Sequence, residues 1–438
     1  MCVKSRMKIH IVGSGPTGMS LAWEFLREGE HEITIYDRKI SAGGSWWEPD
    51  IETRDLHAHR VVFDRAFVNT RSLFEEMGIK WGDIFVPKSG VGTSRYVLKT
   101  LGFRDYITLS SLLFNVFKDP EKYKSISLKD AVGTLSESGK TTLEHLPLIM
   151  DGVTWGVMSA FEFVNNLDHV GLSKLYTQKT SGKGMCDSME TALLERGVNF
   201  LFGVELDSVE YREDGYSAKL SNDTFINDGM LFLCVDNSPA LKLLGDNWGP
   251  DAEKKVRYST YGALNVILDY EKPIYLKSDL EIACTTEWNL QPVVLEDGKT
   301  VSCVICDITP ELMNTDPNIL IRGVIDQLKV PEPKTSRIGW GSEWNGEKWE
   351  FSQSSGVLGL QGQLPFFGKC PKVAMCGMMS PRNTPYSSIE ASVEVSRSLS
   401  HQLFGTRKPF KPFLVSRVSL FLIIVLIVLV LVYFNRKK

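Results

Sequence analysis

The sequence contains no HExxH, GxSxG or P-loop pattern, no internal repeat and no low-complexity segment. Zinc proteases, nucleophile-elbow hydrolases and P-loop nucleotidases are therefore without a supporting motif. The formal net charge is only -4 over 438 residues, so no basic surface points to a nucleic-acid partner. This length is ample for a buried core and suggests roughly two or three domains.

Cysteine is scattered, and its eight positions do not resemble a disulfide framework. This usage favours a reducing compartment. Cys303 and Cys306 have CxxC spacing but lie in a β-rich run, where residues i and i+3 point to opposite faces. We therefore predict that the pair is buried structural cysteine and neither a redox nor a metal site.

Long apolar runs are absent except at residues 418–434, and the first ten residues lack the apolar core of a signal peptide. The run reaches roughly 25 Å as a helix, and the apolar residues at 413–415 would extend it toward a hydrocarbon core of ~30 Å. Basic residues close it at 436–438. We predict a transmembrane tail anchor at 414–434 with a cytosolic body, in the mitochondrial outer membrane or endoplasmic reticulum. A buried core helix is the alternative.

A GxGxxG pattern fills residues 13–18, between an apolar run and a predicted helix from about Pro16 to Arg27. The next predicted strand, ITIYD, ends at Asp37, roughly twenty residues after the last glycine, where a dinucleotide fold needs a ribose acceptor. In such a turn the first glycine permits the bend, the second admits a pyrophosphate and the third packs the helix on the strand. The helix N-terminus would face the anion. An ordinary strand–turn–helix is the alternative.

The residues after Asp37, RKISAGGSWW, add a second glycine pair at 43–44. Three later blocks, at 57–79, 182–245 and 372–400, follow in order. Together these segments resemble the flavin amine oxidase, phytoene desaturase and protoporphyrinogen oxidase superfamily. The resemblance implies an α/β fold with a discontinuous, Rossmann-like FAD-binding domain, a mixed α+β substrate domain and the C-terminal transmembrane helix.

The same resemblance assigns segments and residues. The FAD-binding parts would be 7–85, 180–245 and 365–405, and the substrate-domain parts 86–179 and 246–364. It implies a helix that starts near Ser387 and Ser388 and faces the flavin, with either serine as its cap. The implied FAD-binding residues are Gly13, Gly15, Pro16, Thr17, Gly18, Asp37, Arg38, Gly44, Ser45, Trp46, Val204, Gly377, Met378, Ser388 and Ile389, with no metal site.

Catalytic side chains are few in flavin oxidases, because the flavin takes the hydride and the protein positions the substrate. The candidates here are His57 and His59, each with a structural role as the alternative, and Tyr386, which resembles an aromatic wall residue of amine oxidases. The tryptophan-rich run at 339–349 would be a β-hairpin with packed aromatics, or the lining of a pocket.

The expected function is a membrane-anchored, FAD-dependent oxidoreductase that takes a hydride from a C–N or C–C bond of a small substrate. Membrane anchoring favours a lipophilic substrate, and simple tethering is the alternative role of an anchor. Electrons would pass to oxygen or a quinone. Three departures from the family pattern, Ser45, Met378 and Ala391, bear on FAD binding. They leave a second interpretation open, in which the chain is a catalytically silent scaffold similar to Rab GDP-dissociation inhibitors. A flavin monooxygenase would need a second GxGxxG, and a mutase of the UDP-galactopyranose type would need paired arginines in its pocket.

Overall fold

The structure is a computed structural model. It describes residues 6–46, 61–88, 91–170, 173–179, 182–258, 260–261, 264–295, 298–351, 355–356, 360 and 362–412. The predicted anchor at 414–434 and both histidine candidates, His57 and His59, lie outside these residues. Across the part that is described, no helix combines the length and apolarity that crossing a bilayer demands.

The strands fall into one parallel sheet and several antiparallel ones. In chain order they are β1 Lys8–Val12, β2 Glu32–Asp37, β3 Val62–Phe63, β4 Phe85–Lys88, β5 Leu175–Gln178, β6 Asn199–Phe202, β7 Leu206–Tyr211, β8 Tyr216–Leu220, β9 Phe225–Ile226, β10 Met230–Leu233, β11 Thr260–Tyr261, β12 Leu264–Asp269, β13 Leu290–Val294, β14 Thr300–Ile305, β15 Thr335–Ile338, β16 Ser342–Trp344, β17 Trp349–Phe351, β18 Ser355–Gly356 and β19 Val373–Met375.

The helices pack on the parallel sheet or form a separate helical layer. In chain order they are α1 Pro16–Leu26, α2 Val68–Met77, α3 Trp81–Ile84, α4 Val91–Thr100, α5 Phe103–Lys118, α6 Pro120–Lys124, α7 Leu128–Ala131, α8 Glu137–Asp151, α9 Ala160–Val170, α10 Gly182–Leu194, α11 Asn237–Leu243, α12 Ala252–Tyr258, α13 Asp279–Ala283, α14 Pro317–Leu328 and α15 Ile389–Phe404.

The parallel sheet has the strand order β19-β10-β1-β2-β6. β1 is central, and its neighbouring side chains Ile11 and Val12, which point to opposite faces, are buried in two different apolar clusters, as expected for a strand covered on both faces. α1 and α15 pack against each other beside this sheet. Because β1 lies between β10 and β2, the glycine turn that follows it opens at the carboxyl edge of the sheet, where such folds bind ligands. The predicted Rossmann-like architecture is present.

The sheet's strands come from the three segments predicted to bind FAD, whereas the helical layer α4–α9 and the antiparallel sheet β13-β14-β12-β15 come from the other two. The domain boundaries themselves stay a prediction. Helices α4, α5, α8, α9 and α13 share one apolar core. These elements contribute side chains to the wall of the cavity at the carboxyl edge of the parallel sheet.

Two local expectations are confirmed by the structure. The tryptophan-rich run forms the antiparallel hairpin β16–β17, in which the rings of Trp344 and Trp349 lie 5.4 Å apart. Cys303 and Cys306 are buried, and neither belongs to a disulfide. Burial raises the pKa of both thiols, so neither is prepared to act as a nucleophile or ligand.

Candidate functional site

The three glycines of the turn have different surroundings. Gly13 has a φ of +106°, and a Cβ there would lie 2.3 Å from the carbonyl oxygen of Cys234. A Cβ on Gly18 would lie 2.0 Å from the carbonyl oxygen of Gly13. A Cβ on Gly15 would meet the protein only at ordinary contact distance, 3.4 Å from the Cα of Gly44. The fold itself therefore demands Gly13 and Gly18, whereas a Cβ on Gly15 would make only ordinary contacts with the protein.

Gly15 stands at the start of α1. The helix begins at Pro16, whose missing N–H costs nothing at this position, and Gly15 is its N-cap. The remaining N–H groups of a first helical turn have no partner inside the helix and carry partial positive charge. Gly15, Pro16 and Thr17 all line the cavity described below, so the turn can accept an anion.

The second glycine pair packs directly on the first turn. Gly44 has a φ of +56°, and a Cβ there would lie 2.7 Å from the Cα of Gly15. The amide of Gly43 donates to the carbonyl oxygen of Ser14 at 3.1 Å. Lys39 Nζ donates to the carbonyl oxygen of Gly44 at 3.0 Å. This contact places a cation beside the two glycine loops.

Asp37 is the last residue of β2, and its carboxylate is hydrogen-bonded to the glycine turn. Its Oδ2 accepts hydrogen bonds from the backbone N–H and the hydroxyl of Ser14, both at 2.7 Å. Its Oδ1 accepts from the backbone N–H of Lys39 at 2.9 Å. A carboxylate offers about four acceptor sites. Oδ1 therefore keeps capacity for one more donor, such as a ribose hydroxyl.

The cofactor end is closed by the loop between β19 and α15. Ser388 is the N-cap of α15, and its hydroxyl accepts from the backbone N–H of Ala391 at 3.2 Å. The buried guanidinium of Arg382 donates to the carbonyl oxygens of Met378, at 3.2 Å, and Tyr386, at 3.2 Å. The loop is thus wrapped around one arginine, which fixes the start of α15.

One cavity of about 740 Å³ joins these parts. That volume is ample for an organic cofactor with a small substrate. Its wall includes every residue that the sequence assigned to FAD except Gly18, which lies behind the turn. These lining residues are Gly13, Gly15, Pro16, Thr17, Asp37, Arg38, Gly44, Ser45, Trp46, Val204, Gly377, Met378, Ser388 and Ile389.

Tyr386 lies in the cavity wall and is buried. Its hydroxyl lies 2.9 Å from Nδ1 of His169, and its ring contacts the rings of Phe63 and Phe67 at centroid distances of 5.5 and 6.0 Å. Burial raises the pKa of Tyr386, so its hydroxyl stays protonated near neutral pH. The expected aromatic wall is therefore present, with a histidine behind it.

The far end of the cavity contains polar groups that the sequence did not single out. Asp151 Oδ2 accepts from Asn166 Nδ2 at 2.8 Å. Burial raises the pKa of Asp151 to about 7, against the hydrogen bond from Asn166 and the charge of Arg382. Lys88 and Asp279 also line this end. Burial lowers the pKa of Lys88, and the charge of Asp279 partly restores it.

Two of the missed residues, Asn166 and His169, carry a signal that the sequence does contain. Glu162, Asn166 and His169 follow each other by four and three residues on α9, so they share one helix face, and all three are buried. A polar stripe on a buried helix indicates hydrogen-bonding work inside a protein. Arg382 stands in the loop PRNTPYSS, whose lone arginine between a buried strand and a helix was the other available signal.

Comparison with known proteins agrees with this architecture. Residues 11–67 match the family described as the NAD(P)-binding Rossmann-like domain. Thiamine thiazole synthase from Thermococcus kodakarensis is 27% identical over 150 residues, which are 34% of this chain and 51% of that protein. The chain thus spans about half the length of this curated relative.

Solved structures resemble almost the whole chain. Putrescine oxidase bound to putrescine gives a TM-score of 0.63 at 14% identity, covering 92% of this chain and 100% of that one. A protein from Exiguobacterium sp. 255-15, described provisionally as a protoporphyrinogen oxidase, gives the same TM-score, identity and coverage. The chain therefore has a Rossmann-like α/β fold that is found in FAD-type oxidoreductases.

Proposed function

We propose that the chain is an FAD-dependent oxidoreductase that takes a hydride from a C–N or C–C bond of a small substrate. The observation that carries this proposal is one continuous cavity, which is lined by the glycine turn, by the N-terminus of α15 and, at its far end, by both apolar and polar side chains. Oxygen or a quinone would accept the electrons. The similarity of the fold to putrescine oxidase and to the Exiguobacterium protein supports the same reaction class.

The residues present fit FAD along the length of the cavity. Gly15 and the first turn of α1 would face the pyrophosphate, Asp37 the ribose and Val204 the adenine. When bound, FAD would supply the hydride acceptor. The capped N-terminus of α15 brings positive potential to the opposite end, next to Gly377 and Met378, where negative charge on a reduced cofactor would be stabilised.

The far end of the cavity supports a substrate with an apolar body and one polar group. Apolar side chains from α8 and α9, Leu146, Ile149 and Leu167, line it and exclude water. Asp151, held by Asn166, would orient the polar group, and Tyr386 would bound the reacting end. Positioning and water exclusion are the protein's usual share of flavin chemistry.

We also propose that residues 414–434 anchor the protein in a membrane, with the body on the cytosolic side, at the mitochondrial outer membrane or endoplasmic reticulum. The apolar run and the basic residues that follow it support this. An anchored enzyme with an apolar cavity would be well placed to receive a lipophilic substrate.

The decisive experiment is the absorption spectrum of the purified full-length protein, followed by heat release and chromatography of any cofactor. Flavin bands with FAD in the released fraction are the expected result. Release of NAD or NADP instead would contradict the FAD assignment. A colourless protein that takes up no added FAD would contradict the proposed function as a whole.

That colourless outcome would favour a catalytically silent scaffold. One observation supports this second candidate: Met378, one of the three departures from the family pattern, lines the cavity. The intact turn with Gly13, Gly18 and Asp37 argues for the enzyme, because a protein without a dinucleotide has little need of an open Gly15.

A further inference from the structure

The C-terminal strap, residues 405–412, is fixed to the body by a buried ion network. Arg407 Nη2 donates to Glu24 on α1 at 2.9 Å, and Arg407 Nη1 lies 2.7 Å from Glu76 on α2. Glu24 also accepts from Nε of Arg397 on α15 at 2.8 Å. Both Glu24 and Arg397 are buried. Buried charges of this kind are costly unless they are paired. Arg27 also lies 3.6 Å from Glu24 and 3.3 Å from Glu76, so the strap adds a third arginine to a network that already contains Arg27 and Arg397.

The pKa of Glu76 agrees with an ion pair between its carboxylate and Arg407. Burial alone would raise the pKa of Glu76, but hydrogen bonds from Arg407 and Ser72 outweigh it, and the pKa lies below its usual range. The strap's arginine is therefore a partner that keeps this carboxylate ionised.

Phe410 makes the second attachment, through both its backbone and its ring. Its backbone N–H donates to Asn69 Oδ1 at 2.7 Å, and its carbonyl oxygen accepts from Asn69 Nδ2 at 3.0 Å. Its ring centroid lies 5.2 Å from the guanidinium of Arg397 and 5.6 Å from that of Arg407. The Asn69 amide thus pairs with the strap as a neighbouring strand would.

Asn69 also links the strap to the first turn of α15, at the cavity. Its Nδ2 donates to Oε1 of Glu390 at 2.7 Å, and its backbone N–H donates to the same oxygen at 2.9 Å. Thr70 donates twice to the other oxygen, at 2.8 Å in each case. Glu390 is in the first turn of α15, next to Ser388 and Ile389, which line the cavity.

We propose that the strap is part of the cofactor-binding body and holds the cavity end of α15 in place, with Asn69 as the positioning residue between them. The connection runs from Phe410 through Asn69 and Glu390 to the first turn of α15. The proposal that the strap positions α15 rests on these contacts alone. Its effect on cofactor affinity rests on the proposed FAD function.

The test uses the full-length protein in detergent micelles with added FAD. Three variants are compared with the wild type: Arg407→Met, Phe410→Ala and Lys408→Met. Lys408 is an exposed cation in the same strap, so its loss is the matched control. Hydrogen–deuterium exchange of residues 68–71 and 389–393 reports the positioning, and the dissociation constant of FAD reports its consequence.

Arg407→Met breaks the ion pairs with Glu24 and Glu76, and Phe410→Ala removes the ring from the Arg397 and Arg407 guanidiniums while keeping the backbone hydrogen bonds to Asn69. Because each change loosens the strap, each should speed exchange at 68–71 and 389–393 by at least about tenfold and weaken FAD binding. Lys408→Met should change neither, and Arg407→Lys should restore part of the loss. Faster exchange confined to 405–412 overturns the proposal. A lower melting temperature with unchanged FAD affinity would mean mere stabilisation and overturns the positioning role.

Phe410 is 47% exposed, so its replacement by alanine should leave a folded protein even if Arg407→Met does not fold. If the wild type binds no FAD, the proposed function fails, while the exchange of residues 389–393 still decides whether the strap holds α15.

Discussion

The hydroxyl of Tyr386 lies 2.9 Å from Nδ1 of His169, and this contact joins the cofactor loop to a helix of the other half of the molecule. Both side chains are buried. Tyr386→Phe removes the hydroxyl while keeping the ring and its contacts with Phe63 and Phe67. It should lower the free energy of unfolding by about 1–2 kcal/mol, the typical loss for a buried hydrogen bond. Urea unfolding measures this.

Tyr275→Phe is the control for that change, since Tyr275 is 92% exposed and should tolerate the loss of its hydroxyl. Equal stability of Tyr386→Phe and the wild type would show that the contact with His169 contributes nothing to the fold.

Gly15 and Gly18 should respond to substitution in opposite ways. Gly15→Val should destabilise the fold much less than Gly18→Ala but abolish FAD retention, because a Cβ at Gly15 makes only ordinary contacts with the protein, whereas the side chain would occupy the space of the pyrophosphate. Gly18→Ala should destabilise the fold by more than about 2 kcal/mol, because its Cβ would overlap the carbonyl of Gly13. Released cofactor and the unfolding midpoint separate the two effects.

Gly82→Val is the matched control, because a Cβ at Gly82 meets nothing within 4 Å. It should retain FAD. If Gly15→Val also kept its full complement of FAD, the pyrophosphate would have to lie elsewhere.

Asp151 predicts a pH-dependent stability. Its pKa of about 7 in the folded state lies above its unfolded value, so the folded protein binds this proton more tightly. The resulting stability is fully present below the unfolded pKa of about 4 and is lost as the pH rises through about 7. Asp151→Asn cannot ionise and should escape this loss.

The difference should be on the order of 2–4 kcal/mol between about pH 4 and about pH 8, measured by urea unfolding over a pH series. Asp214→Asn, at an exposed turn, should follow the wild-type pH curve. Parallel curves for the wild type and Asp151→Asn would mean that Asp151 keeps an ordinary pKa.

Removal of residues 414–438 should release the body into the soluble fraction with its cofactor binding intact, because the strap at 405–412 is retained. Fractionation after a high-salt wash measures this. A full-length variant with residues 418–434 scrambled should still pellet, since apolarity and length decide membrane insertion. A truncated protein that pellets with membranes would contradict the single anchor.

Much of the cofactor side was predictable because its signals are local. β1, the glycine turn and α1 are adjacent in sequence, and the helix predicted from Pro16 to Arg27 runs from Pro16 to Leu26. The start of α15 was equally readable, because Ser388 is a favourable cap that comes just before an apolar, helix-periodic segment.

The substrate side was not predictable in this way. Asp151, Asn166 and Arg382 meet only in the folded chain, and none belongs to a motif with fixed spacing. The strap was missed for a different reason. Arg407 precedes an apolar run, where a basic residue is typical of a membrane flank, whereas the structure pairs it with Glu24 and Glu76. Sequence charge patterns do not reveal which partner a distant helix supplies.

The order of the parallel sheet has a consequence for how the molecule is made. β1 pairs with β10, and β10 pairs with β19. Each of these pairs can therefore form only after a partner strand far along the chain has been synthesised. Closing such long loops is entropically costly and slows folding. The carbonyl that shapes Gly13 belongs to Cys234, so the phosphate turn cannot mature on the nascent N-terminal segment alone. Cofactor capture is therefore a late event in biogenesis, reached when nearly the whole body has been translated.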